Sequence, residues 1–372
     1  MALYAGLVGL PNVGKSTLFN ALTKSSIPSE NYPFCTIDPH TAITNVPDAR
    51  LEKLATIFDS QKIIPATMQF VDIAGLVKGA AEGEGLGNQF LSNVMGVDLI
   101  LHVLRCFDDP DITHVHERVN PLEDFEIIMA ELCLKDLESL EKRLTKMESV
   151  LKKIKHSGTA QELKDATAEH QLLLRLQPLL ENGDVDGVRT AMLESGNKNV
   201  QLLTAKNFLI VANVSEDEFS GNAYENNDHY KALVAKFGAQ RVIPVSAKIE
   251  AELAQMDDAD AQEMMDDLEI TQTGLNTIIA KTYANLGLIS FYTCGPKEAH
   301  AWSIKAGTKA PQAAGTIHSD LERGFICSET YHCDDLFEVG TEAALKQSGK
   351  MRTEGKEYVI ADGDVIHVRF NV

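Results

Sequence analysis

The 372-residue sequence is poor in positive charge, with a formal balance of −20. That balance excludes a broad, non-specific grip on nucleic acid, so DNA is not an expected partner and any RNA contact needs a local basic patch. Cysteine is also scarce. Cys35, Cys106, Cys133, Cys294, Cys327 and Cys333 are scattered with no Cys-x-x-Cys, which fits reduced thiols in a cytoplasmic protein better than a disulfide framework or a zinc site. No apolar run approaches the ~20 residues that cross a bilayer, so no membrane is expected. The apolar start, residues 1–9, lacks a basic leader region and is expected to be a buried first strand rather than a signal peptide. No internal repeat is present.

What remains is ordinary globular composition, 44% hydrophobic and 24% charged, at a length suggesting roughly two to three domains. Residues 3–9, 40–46, 67–72, 99–104, 208–213 and 241–245 read as strands, and 15–24 as a helix. Their alternation predicts an α/β fold with a doubly wound, mostly parallel sheet. About a hundred residues intervene between the fourth and fifth of these strands. There Ala130, Cys133, Leu137, Leu140, Leu144, Met147, Leu151 and Ile154 recur at spacings of three and four, the a/d seam of a helix. His156-Ser157-Gly158-Thr159 breaks that seam, and Leu163, Leu172, Leu176 and Leu179 follow. The expectation is an antiparallel helical (coiled-coil) arm inserted over 123–205 into a domain of residues 1–270. Residues 249–269 carry nine acidic residues and no Lys or Arg, and read as a solvated linker or exposed helix. Short strands with turn signals then predict a separate small domain at 278–372.

The chemistry concentrates near the N-terminus. Gly9-Leu10-Pro11-Asn12-Val13-Gly14-Lys15-Ser16 satisfies the phosphate-loop (P-loop) template between a strand and a helix. Its glycines let backbone amides point at phosphate oxygens, and the helix N-terminus adds a favourable dipole. Val13, Gly14, Lys15, Ser16 and Thr17 are therefore the expected phosphate contacts, with Lys15 reaching the β and γ phosphates. The Ser16 hydroxyl is the expected Mg2+ ligand. Asp72 ends an apolar strand and can hold the same ion, while the Gly75 amide can meet the γ phosphate. Asn31-Tyr32-Pro33-Phe34-Cys35-Thr36 lies where a first switch loop belongs, and Thr36 is the third candidate ligand. A loop Thr is otherwise most often a local capping group.

Gly6 to Leu22, Asn31-Tyr32-Pro33-Phe34 and Asp72-Ile73-Ala74-Gly75-Leu76-Val77-Lys78-Gly79-Ala80 resemble the Obg-type nucleotide switches. Asn213-Val214-Ser215-Glu216, the helical insertion and the C-terminal stretch narrow the resemblance to the YchF (Obg-like ATPase) family, over essentially the whole chain. The resemblance implies a cytoplasmic ATPase that associates with ribosomes. It also implies a coiled-coil insertion and a C-terminal TGS domain of β-grasp fold, carried by Ala310 to Asp320 and Asp362 to Ile366.

A guanine reader would have Asn-Lys-x-Asp where this chain has Asn213-Val214-Ser215-Glu216. The Asp of that motif accepts from guanine N1–H and the 2-amino group; adenine offers neither donor. Glu216 is one methylene too long, and Val214 leaves an apolar surface in place of a charged stem. Asn213 is expected to use its amide oxygen on adenine N6 and its amide nitrogen on N7. Ser246 and Ala247, ahead of Lys248, form the last base-side loop. An alternative is that 213–216 is only a strand end.

Hydrolysis poses a further question, because Leu76 stands where many switches place a water-orienting Gln. His114, in the loop after residues 99–104 with His116, is the candidate for that role, with Gln89 as runner-up; a merely solvated loop histidine is the alternative. Asn12 lies where its side-chain oxygen could help bind a monovalent cation, and in the wider Obg-type group an Asn there goes with K+ use. Lys142, Arg143, Lys146, Lys152, Lys153 and Lys155 form a basic tip on the arm, suited to ribosomal RNA phosphates or else a solvated helical surface. The leading expectation is a ribosome-associated ATPase acting as a conformational switch. An Obg-type GTPase and an ATP-sensing scaffold with negligible turnover are the alternatives.

Overall fold

The computed structural model describes residues 3–25, 40–73, 85–110 and 118–371. Thr36, Gly75, Leu76, His114 and His116 lie outside the described residues, as does the side chain of Gln89. In chain order the first elements are β1 (Tyr4–Val8), α1 (Lys15–Lys24), β2 (Thr41–Asn45), α2 (Ala49–Ile57), β3 (Ile63–Ile64), β4 (Thr67–Asp72), α3 (Gly85–Gly96) and β5 (Leu99–Arg105). Three helices follow, α4 (Pro121–Ser157), α5 (Ala160–Glu181) and α6 (Val185–Ser195). The chain then returns through β6 (Asn207–Asn213), α7 (Glu216–Phe219), α8 (Asp228–Phe237), β7 (Val242–Val245), α9 (Ala247–Leu253), α10 (Asp258–Asp267) and α11 (Gly274–Asn285).

Six of these strands make one sheet in the order β2-β4-β1-β5-β6-β7. All neighbours are parallel except the edge pair β2 and β4. Every residue of β5 is buried, and six of seven in β6. A central parallel strand is covered on both faces, which is why these segments read as unbroken apolar runs rather than alternations. The carboxyl ends of β1, β4, β5, β6 and β7 share one edge, where an open α/β sheet binds its ligand.

The insertion is a helical hairpin. Asn120 caps α4, its side chain accepting from Glu123 N–H at 3.3 Å, and Pro121 occupies the first turn. The predicted break falls at Gly158. Thr159 then opens α5 with a capping box: its hydroxyl accepts from Glu162 N–H at 3.2 Å, while the Glu162 carboxylate accepts from Thr159 N–H at 2.7 Å. Cys133 and Leu140 of α4 pack with Leu172, Leu173, Leu176 and Leu180 of α5, and α6 closes this core through Val188 and Ala191. At the root, the buried Asp136 carboxylate accepts from the backbone N–H groups of Leu203 and Thr204, both at 2.8 Å, fixing the returning chain. Burial raises the pKa of Asp136, and those hydrogen bonds oppose the rise.

The remaining elements are β8 (Leu288–Cys294), β9 (Ala299–Lys305), α12 (Ala310–Ile317), α13 (Ser319–Arg323), β10 (Phe325–His332), α14 (Cys333–Val339), α15 (Glu342–Gln347), β11 (Arg352–Glu354) and β12 (Asp364–Phe370). They form a mixed sheet, β11-β10-β12-β8-β9-β3, with α12 packing Ala310, Ala313 and Ala314 against Phe291, Ile304 and Ile366. This sheet is not confined to the stretch 278–372 expected to form a separate last domain. Its edge strand β3 comes from the first quarter of the chain, pairing Ile63 with Ala299 and Ile64 with His300. Beside it, Asp48 caps α2 and binds Arg50 through both carboxylate oxygens, at 2.9 Å each. Arg50 also reaches Asp362 at 2.7 Å, and the Tyr292 hydroxyl donates to Asp48. These contacts hold the Asp48 carboxyl below its usual range against the opposing effect of its burial.

The acidic stretch 249–269 is likewise no simple linker. Asp258–Asp267 does form an exposed helix, but Glu250 in α9 is only 2% exposed and accepts from Gly274 N–H at 2.6 Å. Ile249 and Leu253 of the same helix join the main core, which carries Glu250 inside with them.

Candidate nucleotide site

The P-loop conformation is specified residue by residue. Asn12 has φ 64° and Gly14 has φ 92°, the left-handed region that Asn tolerates and Gly prefers. Gly14 has a second constraint: a Cβ there would lie 2.3 Å from the Asn213 amide nitrogen. At Gly9 a Cβ would meet the Val103 carbonyl oxygen at 2.7 Å. Gly14 is also the N-cap of α1 and supplies no side-chain cap. The first-turn N–H groups therefore have no capping side chain and suit an anion.

Lys15 and Asp72 meet at this edge, their side chains forming a largely buried ion pair. The pairing follows from sheet register, since Asp72 lies opposite Leu7 on the strand that feeds the P-loop. Ser16 and Thr17 are exposed in the first turn of α1. A hydroxyl from Ser16 and a carboxylate from Asp72 are hard oxygen donors of the kind Mg2+ takes, so the residues present fit that ion. Such an ion would offset charge on phosphate oxygens. The third predicted ligand, Thr36, lies outside the described residues, as does Gly75.

The base end is a cleft of about 360 Å3 adjoining Asn12, Gly14 and Thr17. Asn213, Val214, Ser246 and Ala247 line it. Asn213 also has a structural role. Its side-chain nitrogen donates to Val13 C=O at 2.9 Å, and its side-chain oxygen accepts from Ala247 N–H at 2.9 Å. Asn213 is 3% exposed and ties three strand ends together. One amide N–H is left for a ring acceptor. The bidentate pairing expected with adenine N6 and N7 would have to share that oxygen with the Ala247 loop.

Val214 is 1% exposed and offers the cleft only an edge of apolar surface. Glu216 forms an ion pair with Lys248, which raises the lysine pKa. Ser215 caps α7 through a box with Glu218. Phe107, Asp108 and Asp109 also line the cleft and were missed from sequence. Their signal was positional, directly after β5 at the ligand-binding edge. Arg105, almost fully buried, shapes this segment by donating to the carbonyls of Phe107 at 2.9 Å and Asp109 at 3.3 Å. Beneath the Ser246–Ala247 turn, burial pushes the Glu250 carboxyl up to about 7, opposed by the N–H groups of Gly274 and Leu275.

A family model described as "50S ribosome-binding GTPase" matches residues 4–153, and the YchF-GTPase_C model, described as "Protein of unknown function (DUF933)", matches residues 288–371. The chain is 48% identical to the ribosome-binding ATPase YchF of Bacillus subtilis over 378 residues, covering 100% of both. It is 46% identical to the protein of that name in Escherichia coli O157:H7, again covering 100% of both. The Obg-like ATPase 1 of Oryza sativa subsp. japonica is 43% identical, over 100% of this chain and 92% of that protein. The solved structure of the Schizosaccharomyces pombe YchF GTPase superposes with a TM-score of 0.84 at 38% identity, over 99% of this chain and 97% of that one.

Proposed function

The chain belongs to the YchF family, and from that premise we propose that it hydrolyses ATP to ADP and phosphate as a conformational switch at the ribosome. The observation that carries this reading is the Lys15–Asp72 pair beside the uncapped start of α1. Bound triphosphate would draw Lys15 onto its β and γ oxygens and release Asp72 to Mg2+, so the pair is replaced when the site fills. Val13, Gly14, Ser16 and Thr17 supply the amide cradle, and Gly75 a γ-phosphate contact. Ser16, Thr36 and Asp72 hold the metal. Asn12 is the K+ candidate. His114 remains our candidate for orienting water, since Leu76 cannot.

ATP is preferred over GTP in this reading for a revised reason. The remaining N–H of Asn213 suits N7, which both purines carry, and so does not discriminate. Discrimination falls to Glu216. A guanine reader needs an open carboxylate for N1–H and the 2-amine, and here the carboxylate is bound to Lys248. An unmet hydrogen-bonding edge costs about 1–3 kcal/mol per group, enough for preference without exclusivity.

The arm would contact ribosomal RNA through its tip. Lys142 pairs with Glu138, and Arg143 binds Glu169 and the Asn199 carbonyl, so both serve the arm itself. Lys146, Lys152, Lys153 and Lys155 are exposed and carry the proposed contact. We read the arm as a coiled coil and the last sheet as a TGS module of β-grasp type, a second ribosome-facing surface. No described helix is long and apolar enough to cross a membrane; a cytoplasmic place follows from the ribosome.

The test is phosphate release from ATP and GTP by the purified chain with Mg2+, with and without ribosomes. Faster release from ATP, stimulated by ribosomes, supports the proposal. Comparable or tighter use of GTP restores the GTPase reading, and tight ATP binding without turnover in either condition restores the scaffold.

A further inference from the structure

A cavity of about 500 Å3 lies at the root of the arm, between the start of α4, the start of α6, the end of α8 and the first residues of β6. It sits toward the amino ends of β6 and β7, opposite the sheet edge that carries the nucleotide loops. Its volume is that of a small-molecule site.

Three features give it chemistry. The guanidiniums of Arg189 and Arg241 both stand over the Phe208 ring, 4.4 and 5.3 Å from its centre. Neither has a carboxylate partner among the described residues. Arg189 donates only to the carbonyls of Thr204 and Lys206, at 3.2 and 3.0 Å. Asp186 acts on its charge from a distance without forming a pair, and burial together with the Arg241 charge pulls its pKa down to about 10. Lys236, also on the lining, is by contrast satisfied by Glu126 at 2.7 Å. Phe125 and Phe237 pack against Phe208, 5.4 and 5.8 Å between ring centres, and with Met129 they supply the apolar part of the lining.

Two neighbouring guanidiniums that form no ion pair repel one another, although Asp184 and Asp186 also line the cavity, and the fork of each matches phosphate oxygens. A dianion answers both where a monoanion answers one. We propose that this cavity binds a small phosphate monoester carrying a flat apolar ring, the phosphate bridging Arg189 and Arg241 and the ring lying on Phe125, Met129 and Phe237. The site joins the arm root to β6, whose far end is Asn213. Its occupancy would therefore reach both the arm and the base end of the cleft.

Phenyl phosphate, inorganic phosphate and benzoate are titrated calorimetrically into the full chain, with the P-loop occupied by Mg2+ and a non-hydrolysable ATP analogue. Phenyl phosphate should bind one saturable site more tightly than the other two. Arg241→Gln and Arg189→Gln should each weaken it by at least about tenfold, while Lys142→Gln on the arm leaves it unchanged. Arg241 is exposed and holds no carbonyl, so its variant stays informative if Arg189→Gln misfolds. No saturable phenyl phosphate binding, or binding indifferent to Arg241→Gln, overturns the site. Equal binding of inorganic phosphate overturns the ring, and stronger binding of benzoate overturns the phosphate.

Discussion

The two ends of the nucleotide cleft are built on different principles. The phosphate end is mostly backbone: a left-handed Asn12, a left-handed Gly14 and the uncapped first turn of α1, with Lys15 and Asp72 as its main charges. The base end is mostly side chains, drawn from the ends of β5, β6 and β7. Asn213 stands between them and binds one loop of each, Val13 on one side and Ala247 on the other. A backbone site needs only local residue types in the correct order. A side-chain site depends on which partners the fold delivers, and here those partners make Asn213 a brace between two loops and Glu216 an ion-pair partner of Lys248.

The comparison is sharpened most by removing the charge at the phosphate end. Lys15→Ala should lower single-turnover phosphate release by roughly 10²–10³-fold, the cost of losing one preorganised electrostatic group. A loss of only a few-fold would mean that backbone alone carries catalysis there. The base end has its own dependence, on pH. Between about pH 4.5 and about 7 the folded chain keeps the Glu250 proton that the unfolded chain has released. Folding stability should therefore fall as pH rises through that window, by up to roughly 3 kcal/mol. Glu250→Gln retains an acceptor for Gly274 N–H and should flatten the slope, read from urea unfolding midpoints across the window. A wild-type slope that persists in the variant would assign it to other groups.

The brace itself comes next. Asn213→Ala leaves Val13 C=O and Ala247 N–H without their partner, at about 1–3 kcal/mol for a buried group. Affinities for ATP and GTP should fall together, by roughly ten- to a hundredfold. A fall for ATP alone would restore the adenine-reading role first expected of this residue.

What could be read from the sequence divides along the same line. The P-loop, the parallel sheet, the broken arm and the Gly158 turn were legible because each rests on neighbours in the chain: glycines at fixed offsets, unbroken apolar runs, a heptad seam ending at a capping box. The Lys15–Asp72 pair was not, since the two residues read separately as a phosphate contact and a metal ligand, and only the register of β4 against β1 brings them together. β3 was not, since two residues carry no periodicity and their partners lie at 299–300. Nor was Glu250, whose acidic neighbours imply solvent while the apolar face of α9 carries it inward. Phe107 and Asp108 fell at a legible place, the end of β5, but the histidines farther along that loop drew the chemical reading instead. Lys142 and Arg143 counted toward a basic tip until their partners Glu138 and Glu169 came into view.

The smallest expected effect tests whether the base end discriminates through Glu216. Val214→Lys with Glu216→Asp restores the residue types of a guanine reader and shortens the carboxylate away from Lys248. The new lysine starts from a site now 1% exposed, so its stem must emerge over the base, and some stability will be lost on the way. Preference should move toward GTP by about tenfold, the equivalent of one hydrogen-bonding edge gained by guanine and lost by adenine. Competition titration reads this as a ratio of two affinities in one protein, so a general loss of stability cancels. If the ratio stays fixed while Lys248→Met changes it, discrimination belongs to the Ser246–Lys248 turn. The side-chain end would then be governed, like the phosphate end, by where a loop's backbone is held.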